Sequence, residues 1–389
     1  MSRMWDLQIT FLAEAFSLYR SRRPLVRFSQ RFEDLCTGVS GDILPSMLDP
    51  AKEPLQLLHD RDVFFARPLE ELAAQPFNSD VDVVRNWRVQ WLHIESTRRL
   101  FLATYILEMQ QATFFKTLRS CASTDFPWPC SQPLWEAESL NRWRDLAKQE
   151  PLAPFYMLDA LSQAQRQKHI SYDTFQSAIV NGYFTNSQDS VDHPHAREFA
   201  QYIEQHPRTL FNHHASMLTI YVPIRDLLAV SGETFVLGEK LATRDQFVQA
   251  EMDLRAWSRS DNAIKAVFHA TKVIRIAFEE GKCGLLHEEW SLYLAALVCW
   301  AYGMWPVQEG GQPRNQVLGT VHQEMTEFVF ALSCCGSTPA EVAGALTFSS
   351  VRNCMAWVRD QINGQLGGLV GDAVEVLEKL VNRRHEARL

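Results

Sequence analysis

Apolar side chains recur every three or four residues along most of the chain, which is the spacing of amphipathic α-helices. Alternating patterns typical of strands are scarce, and Gly and Pro gather in a few short stretches between the helical patterns. The helical pattern covers residues 83–116, 194–205, 208–230, 243–257, 261–280, 286–303, 317–335, 339–343 and 351–384. The pattern therefore predicts an all-α fold, a large helical bundle.

Two stretches interrupt this pattern clearly. Residues 125–133, DFPWPCSQP, contain too many prolines for a helix, and residues 308–313, QEGGQP, also break it. We predict a main helical domain over 1–307, a loop over 308–316, and C-terminal helices over 317–389 that pack on the same domain. The glycines in NGQLGGLVG, residues 363–371, indicate a further break between two helices.

Composition and charge disfavour some classes of function and location for this chain. With 389 residues, of which 46% are apolar, the chain can fill a substantial core. The net charge of −8 disfavours binding to nucleic acid by the chain alone. Its eight cysteines lack the C-x2-C spacing of zinc and redox motifs. Cysteines so sparse in a long chain indicate reduced thiols, hence the cytoplasm or the nucleus, of which we predict the cytoplasm. Charged residues interrupt the N-terminal pattern, which predicts no stable membrane insertion.

One helical segment carries four polar side chains on a single face. Asp261, Lys265, His269 and Lys272 are spaced by four, four and three residues. The opposite face is apolar, so the polar face is either the solvated side of the helix or, because Phe268 lies beside it, a charged face turned toward a cavity. Buried charges need partners or ligands.

Other polar groups also allow two interpretations. His213 and His214 precede Arg225 by about three helical turns, and this set either binds a ligand or forms an ion pair or helix-terminus contact. Glu95 and Arg99 are four residues apart on a predicted helix, which indicates an ion pair or an anion contact. The usual aspartate-rich metal motifs, nucleophile elbows and phosphate-binding glycine loops are absent from the sequence.

Several segments resemble the fungal-specific transcription factor domain, the large helical region that follows the zinc fingers of many fungal regulators. The segments are WRVQWLHIESTRRLFLATYILEMQQATFFK (87–116), DFPWPCSQPLWEAESLNRW (125–143), HHASMLTIYVPIRDLLAVSGETF (213–235), KAVFHATKVIRIAFE (265–279) and EEWSLYLAALVCWAYG (288–303). The resemblance implies a large helical domain. No zinc cluster or C2H2 finger precedes these segments in the sequence, so we expect the DNA-reading element to be absent.

The chain also resembles the unconventional fungal sesquiterpene cyclases of the α-humulene synthase type. That resemblance implies a Mg²⁺-dependent enzyme that ionises and cyclises farnesyl diphosphate in an aromatic cavity. The implied catalytic residues are Asp261, Asn262, Lys265 and His269. The implied metal ligands are Asp261, Asn262 and Glu108. The implied substrate contacts are Arg99, Lys272, His213, Arg225, Phe115, Phe268, Leu285 and Trp290.

Two functions therefore remain open on the sequence alone. The first is the sesquiterpene cyclase, with an isoprenoid diphosphate as its partner, no nucleic acid bound by the chain itself, and a homodimer allowed. The second is a regulatory domain of a fungal transcription factor that senses a small molecule or binds other proteins.

Overall fold

The computed structural model describes residues 2–20, 81–116, 128–149, 173–186, 207–233, 235–237, 239–240, 243–304, 348–364 and 367–382. The chain forms two compact units. Unit 1 comprises Met1–Glu14, Phe28–Met109 and Arg119–Glu204. Unit 2 comprises Ala15–Arg27, Gln110–Leu118 and Gln205–Leu389. The predicted loop at 308–316 lies outside the described residues, so the predicted domain boundary stays a prediction.

Helices dominate the described residues. They are α1 (Ser2–Arg20), α2 (Val81–Phe115), α3 (Gln132–Trp135), α4 (Leu140–Ala147), α5 (Thr174–Asn186), α6 (Pro207–Tyr221), α7 (Ile224–Ser231), α8 (Arg244–Trp257), α9 (Asp261–Glu280), α10 (Glu288–Met304), α11 (Phe348–Ile362) and α12 (Gly368–Asn382). The strands β1 (Phe235–Val236) and β2 (Glu239–Lys240) form one short antiparallel pair, with Phe235 opposite Lys240. The predicted all-α fold is confirmed.

Local sequence sets the helix ends. Thr243 and Gln246 form a capping box at the start of α8, and the Ser260 hydroxyl accepts the Ala263 N–H at the start of α9. Pro223 ends the pattern predicted for 208–230 as a single segment, because proline lacks an N–H and disfavours helical backbone before it. The chain consequently divides there into α6 and α7.

The described residues of unit 1 include two clusters of buried apolar side chains. The first is formed by Val84, Trp91, Cys130, Leu134, Ala137, Trp143 and Ala147. The second is formed by Leu102, Tyr105, Met109 and Ile179. Arg88 of α2 donates to the carbonyl oxygens of Ala137 and Glu138, at 2.6 and 3.1 Å, which ties the helix to the segment between α3 and α4. Burial of these side chains supplies the stabilising free energy of this unit.

Unit 2 is organised around α10. Every residue from Trp290 to Ala301 is buried, and a helix that is apolar on all sides belongs in the centre of a domain. It packs against α9 and α11, while α6 packs against α9 and α12 against α11. Because α9 packs against both α6 and α10, its polar face lies beside the histidines of α6.

A helix that crosses a membrane must be both long and apolar. Across the described ranges, no helix combines the length and the apolar character needed to cross a bilayer.

Candidate functional site

The polar face predicted on α9 contains residues of different exposure. Asp261, Asn262 and Lys265 are exposed in the first turns, whereas His269 and Lys272 are half-buried. The opposite face is packed in the core, and Ala263, Ala266, Val267, Ala270, Val273 and Ile274 have no exposed surface. The helix is therefore amphipathic, and only the later part of its polar face meets another element.

That element is α6, and the two helices bring three histidines together. The Nδ1 atoms of His214 and His269 are 3.0 Å apart, so one ring donates a hydrogen bond and the other accepts it. The His213 ring lies edge-on to both, with centroids 5.3 Å from His214 and 6.4 Å from His269. The structure thus joins the predicted His213 and His269 with His214.

Aromatic rings and two lysines complete this group. The Tyr221 ring stacks on His269 with centroids 5.8 Å apart, and Phe268 contacts the same ring edge-on at 5.3 Å. The ammonium of Lys265 lies 5.3 Å from the Tyr221 ring centroid, and that of Lys272 lies 5.4 Å from the Phe268 centroid. These distances allow cation–π attraction. We refer to His213, His214, Lys265, His269 and Lys272 as the His–Lys cluster.

Burial and like charge keep the imidazoles of this cluster neutral. Burial lowers the pKa of His213 to about 4 and, with a smaller contribution from His213, that of His269 to about 3. The pKa of His214 is lowered well below its usual value, first by burial and then by His213, His269 and Lys272. Burial is also the main cause that lowers the pKa of Lys272.

The predicted contact Arg99 lies in unit 1, within a separate buried network. Glu95 has no exposed surface and accepts from Arg98 at 2.6 Å, Arg99 at 3.0 Å and the Cys130 N–H at 3.0 Å. Arg99 also donates to the Cys130 carbonyl at 2.9 Å and lies over the Trp135 ring at 4.6 Å. The ion pair that the sequence allowed is present, and ligand binding by Arg99 stays a prediction.

The other predicted residues lie in several places. Phe115 and Trp290 stack with centroids 5.5 Å apart and an angle of 8° between the rings. Leu285 is half-buried in the turn before α10, and Arg225 is exposed on α7. Phe268 belongs to the aromatic surroundings of the His–Lys cluster, so the predicted aromatic residues do not all meet at one group in the described contacts.

The predicted metal ligands belong to different units of the chain. Glu108 is buried in unit 1, and Asp261 and Asn262 are exposed in unit 2. Within the described part of the chain, no group of three or more His, Cys, Asp or Glu side chains is arranged to hold a metal ion. The Mg²⁺ cofactor stays a prediction.

Two further polar groups of unit 2 were not predicted. His287 bonds to the Ser291 hydroxyl at 2.8 Å and to the Asn212 side-chain oxygen at 3.0 Å. Tyr293 donates a hydrogen bond of 2.7 Å to Glu233, directly after the left-handed cap residue Gly232. A polar residue within an otherwise apolar helix, such as Tyr293 in α10, is the sequence signal that indicates such a buried contact.

Glu233 gives an expected pH dependence of stability. Burial is the main cause that raises its pKa from 4.5 to about 7, so the folded state binds the proton more tightly than the unfolded state. The contribution is fully present below pH 4.5 and is lost as pH rises to about 7. We expect a loss of up to about 1.4 kcal/mol per pH unit within this window.

Urea unfolding at several pH values measures this contribution, with Glu233→Gln as the variant that cannot titrate. The difference in free energy of unfolding between the natural protein and Glu233→Gln should decrease from pH 4.5 to about 7. Glu279→Gln is the control, because Glu279 is exposed and forms a surface pair with Arg275. A difference that does not change with pH would show that Glu233 does not titrate in this window.

Two comparisons with known proteins gave matches. The sequence model of the fungal-specific transcription factor domain matches residues 1–215. A zinc finger protein of Schizosaccharomyces pombe, klf1, is 20% identical over 260 residues, which cover 55% of this chain and 33% of that protein. The chain thus spans about a third of the length of this curated relative. No solved structure matches.

These matches correct the enzyme prediction. The predicted terpene synthase, with its lyase chemistry, farnesyl diphosphate substrate and humulene product, is wrong, because the matched family and the matched relative are transcription factor and zinc finger proteins. The predicted partners, an isoprenoid diphosphate and no nucleic acid, are wrong for the same reason, since this family indicates nucleic-acid or protein partners. The error arose from a resemblance that no catalytic motif supported.

The two resemblances noted in the sequence therefore have different outcomes. The resemblance to sesquiterpene cyclases has no support from the matches, whereas the family model covers more than half of the 389 residues. The chain belongs to the family of fungal-specific transcription factor domains.

Proposed function

We propose that the chain is a regulatory domain of a fungal transcription regulator, which acts in the nucleus through contacts with other proteins. The observation that carries the proposal is the family match over residues 1–215. The similarity to a zinc finger protein supports it further. In such an arrangement the helical domain changes the output of a promoter after a DNA-reading element has located it.

The surface of α1 supports protein contact. Trp5, Ile9, Leu12 and Phe16 are spaced by four, three and four residues, which places them on one helical face, and each is more than 60% exposed. Exposed apolar side chains in a continuous stripe are typical of protein interfaces, since their burial against a partner releases ordered water. The stripe lies within the residues that match the family.

A reporter assay tests the proposed function. The chain is fused to an unrelated DNA-binding domain in yeast, with a reporter gene under the matching DNA sites. We expect the fusion to change reporter output severalfold relative to the DNA-binding domain alone, and Trp5→Ser combined with Leu12→Ser to remove most of that change because the stripe loses apolar surface.

The matched control is Val81→Ser combined with Val89→Ser, which alters two exposed apolar residues on α2. Immunoblotting and fluorescence microscopy confirm equal amounts of fusion protein in the nucleus. Reporter output equal to that of the DNA-binding domain alone, with the fusion present in the nucleus, would contradict the proposed function.

A further inference from the structure

We propose that the His–Lys cluster of α6 and α9 binds a small oxyanion, a phosphorylated or carboxylated molecule, and takes up a proton when it does so. The proposal concerns binding alone and does not depend on the proposed role in transcription. It rests on which groups meet at the cluster, on their charge, and on their access to solvent.

The His–Lys cluster groups several hydrogen-bond donors on α6 and α9. Lys265 and Lys272 lie one turn before and about one turn after His269 on α9, and their ammonium groups contact the Tyr221 and Phe268 rings. His269 lies between these lysines along α9, and its ring is paired with that of His214 on α6. Lys265 is exposed and the other members are half-buried, so the cluster adjoins the surface.

The charges around the cluster favour a negatively charged ligand. Each charged neighbour that shifts the pKa of His214 is basic, namely His213, His269 and Lys272. Two lysines beside imidazole nitrogens raise the free energy of a bound cation and lower that of a bound anion. Among the described residues, no group of three His, Cys, Asp or Glu side chains is placed to hold a metal ion. An oxyanion fits these donors, since its oxygens accept from ammonium and imidazole N–H groups.

Anion binding at the cluster should be coupled to proton uptake by the histidine pair. In the hydrogen bond between the two Nδ1 atoms only one ring can donate, so the pair is arranged around a single shared proton. A bound anion would offset the burial and like-charge effects that disfavour a second proton. Affinity for the anion should consequently increase as pH falls, by up to about tenfold per pH unit where one proton is taken up.

Among the described residues, the charged and titratable groups on the elements around α6 and α9 are exposed or bonded elsewhere, and Lys116 donates to the Thr219 carbonyl of α6 at 2.7 Å. On the side of α6 toward α10, His287 bonds to Ser291 and Asn212, and burial lowers its pKa to about 4. Glu288 accepts the backbone N–H groups of Cys283, Gly284 and Leu285. At the ends of α9, Asp261 is exposed and Glu279 pairs with Arg275, while Arg208 and Arg225 are exposed on α6 and α7.

Calorimetric titration of the full chain with sodium sulfate tests the site at constant ionic strength. Sulfate keeps its charge over the pH range used, so any pH dependence belongs to the protein. Repeating the titration in two buffers of different ionisation enthalpy measures the protons taken up. We expect binding near pH 6 with about one proton per sulfate, and weaker binding at higher pH. Absence of binding, or binding without proton uptake, would overturn the proposal.

Variants of the two lysines test whether sulfate binds at the His–Lys cluster. Lys265→Met with Lys272→Met should weaken sulfate binding by about tenfold or more, because both ammonium groups are lost. Lys282→Met with Lys379→Met is the matched control, since it removes the same charge from two exposed lysines. Equal weakening in both double variants would show unspecific attraction and overturn the site. His269→Gln should abolish proton uptake, and thermal unfolding verifies that each variant is folded.

The chemical class of the ligand follows from two more probes. Inorganic phosphate and citrate are titrated under the same conditions, and stronger binding of one assigns phosphoryl or carboxylate ligands to the site. The chain has a net charge of −8, so its overall field repels anions, and binding of either probe must come from a local group of cations. Failure of all three anions would overturn this inference and leave the reporter assay unaffected.

Discussion

Replacing Glu95 with alanine is expected to lower the free energy of unfolding by about 3–5 kcal/mol. The Glu95 carboxylate is completely buried and accepts from the side chains of Arg98 and Arg99 and from the Cys130 N–H. The side chains of the two arginines are only 19% and 12% exposed, so the variant leaves two largely buried cations without their carboxylate. Removing one partner of a buried ion pair lowers the free energy of unfolding by more than the intact pair contributes to it, because the other charge stays buried without a partner.

Urea unfolding followed by far-UV circular dichroism measures this loss. The matched control is Asp82→Ala, which removes an acidic partner of an arginine on the same helix, since Arg85 and Asp82 form a pair whose side chains are 63% and 76% exposed. That control should cost about 1 kcal/mol or less. A cost for Glu95→Ala no larger than that of Asp82→Ala would show that the buried network does not stabilise unit 1.

The bounds of several helices could be predicted from the sequence. The pattern at 261–280 matches α9 at both ends, because Ser260 caps the first turn and Gly281 follows the last. The predicted break at 363–371 is confirmed between Ile362 and Gly368. These features depend on neighbours within a few residues. The predicted segments at 194–205, 317–335 and 339–343 lie outside the described residues.

The candidate site could be predicted only in part. Periodicity placed Lys265, His269 and Lys272 on one face, since residues four and three apart share a helical side. It could not identify His214 as the partner of His269, because the two are 55 residues apart and meet only through the packing of α6 on α9. Contacts between distant segments depend on tertiary packing, which a pattern in one segment does not record.

The function could not be predicted from these residues for a related reason. Asp, Lys and His on one helical face fit the ionisation of a diphosphate, a solvated surface and a regulatory ligand site equally well. Spacing describes the chemistry that is available, whereas function depends on what the chain meets in the cell. The family match, rather than the polar face of α9, therefore overturned the enzyme prediction.

Replacing Gly367 with alanine is expected to lower the free energy of unfolding by about 2–5 kcal/mol. Gly367 has a φ of +125°, which a residue with a Cβ rarely adopts. A Cβ there would lie 2.8 Å from the Arg20 carbonyl oxygen and 2.9 Å from its Cα. Both are backbone atoms of unit 2, so the contact cannot be relieved by rotating a side chain, and displacing Arg20 would also disturb its 3.1 Å ion pair with Glu289.

Gly364→Ala separates the two causes of this loss. Gly364 also has a positive φ, +80°, but a Cβ there would have no other atom within 4 Å. It should therefore cost only the backbone strain, about 1–2 kcal/mol. Urea unfolding of both variants gives the difference, which is an upper bound on the cost of the contact with Arg20, because the φ of Gly367 is also the rarer of the two. If the two losses are equal, the close approach of Gly367 to Arg20 does not exist in the folded protein, and the packing of the end of α1 near the start of α12 must be revised.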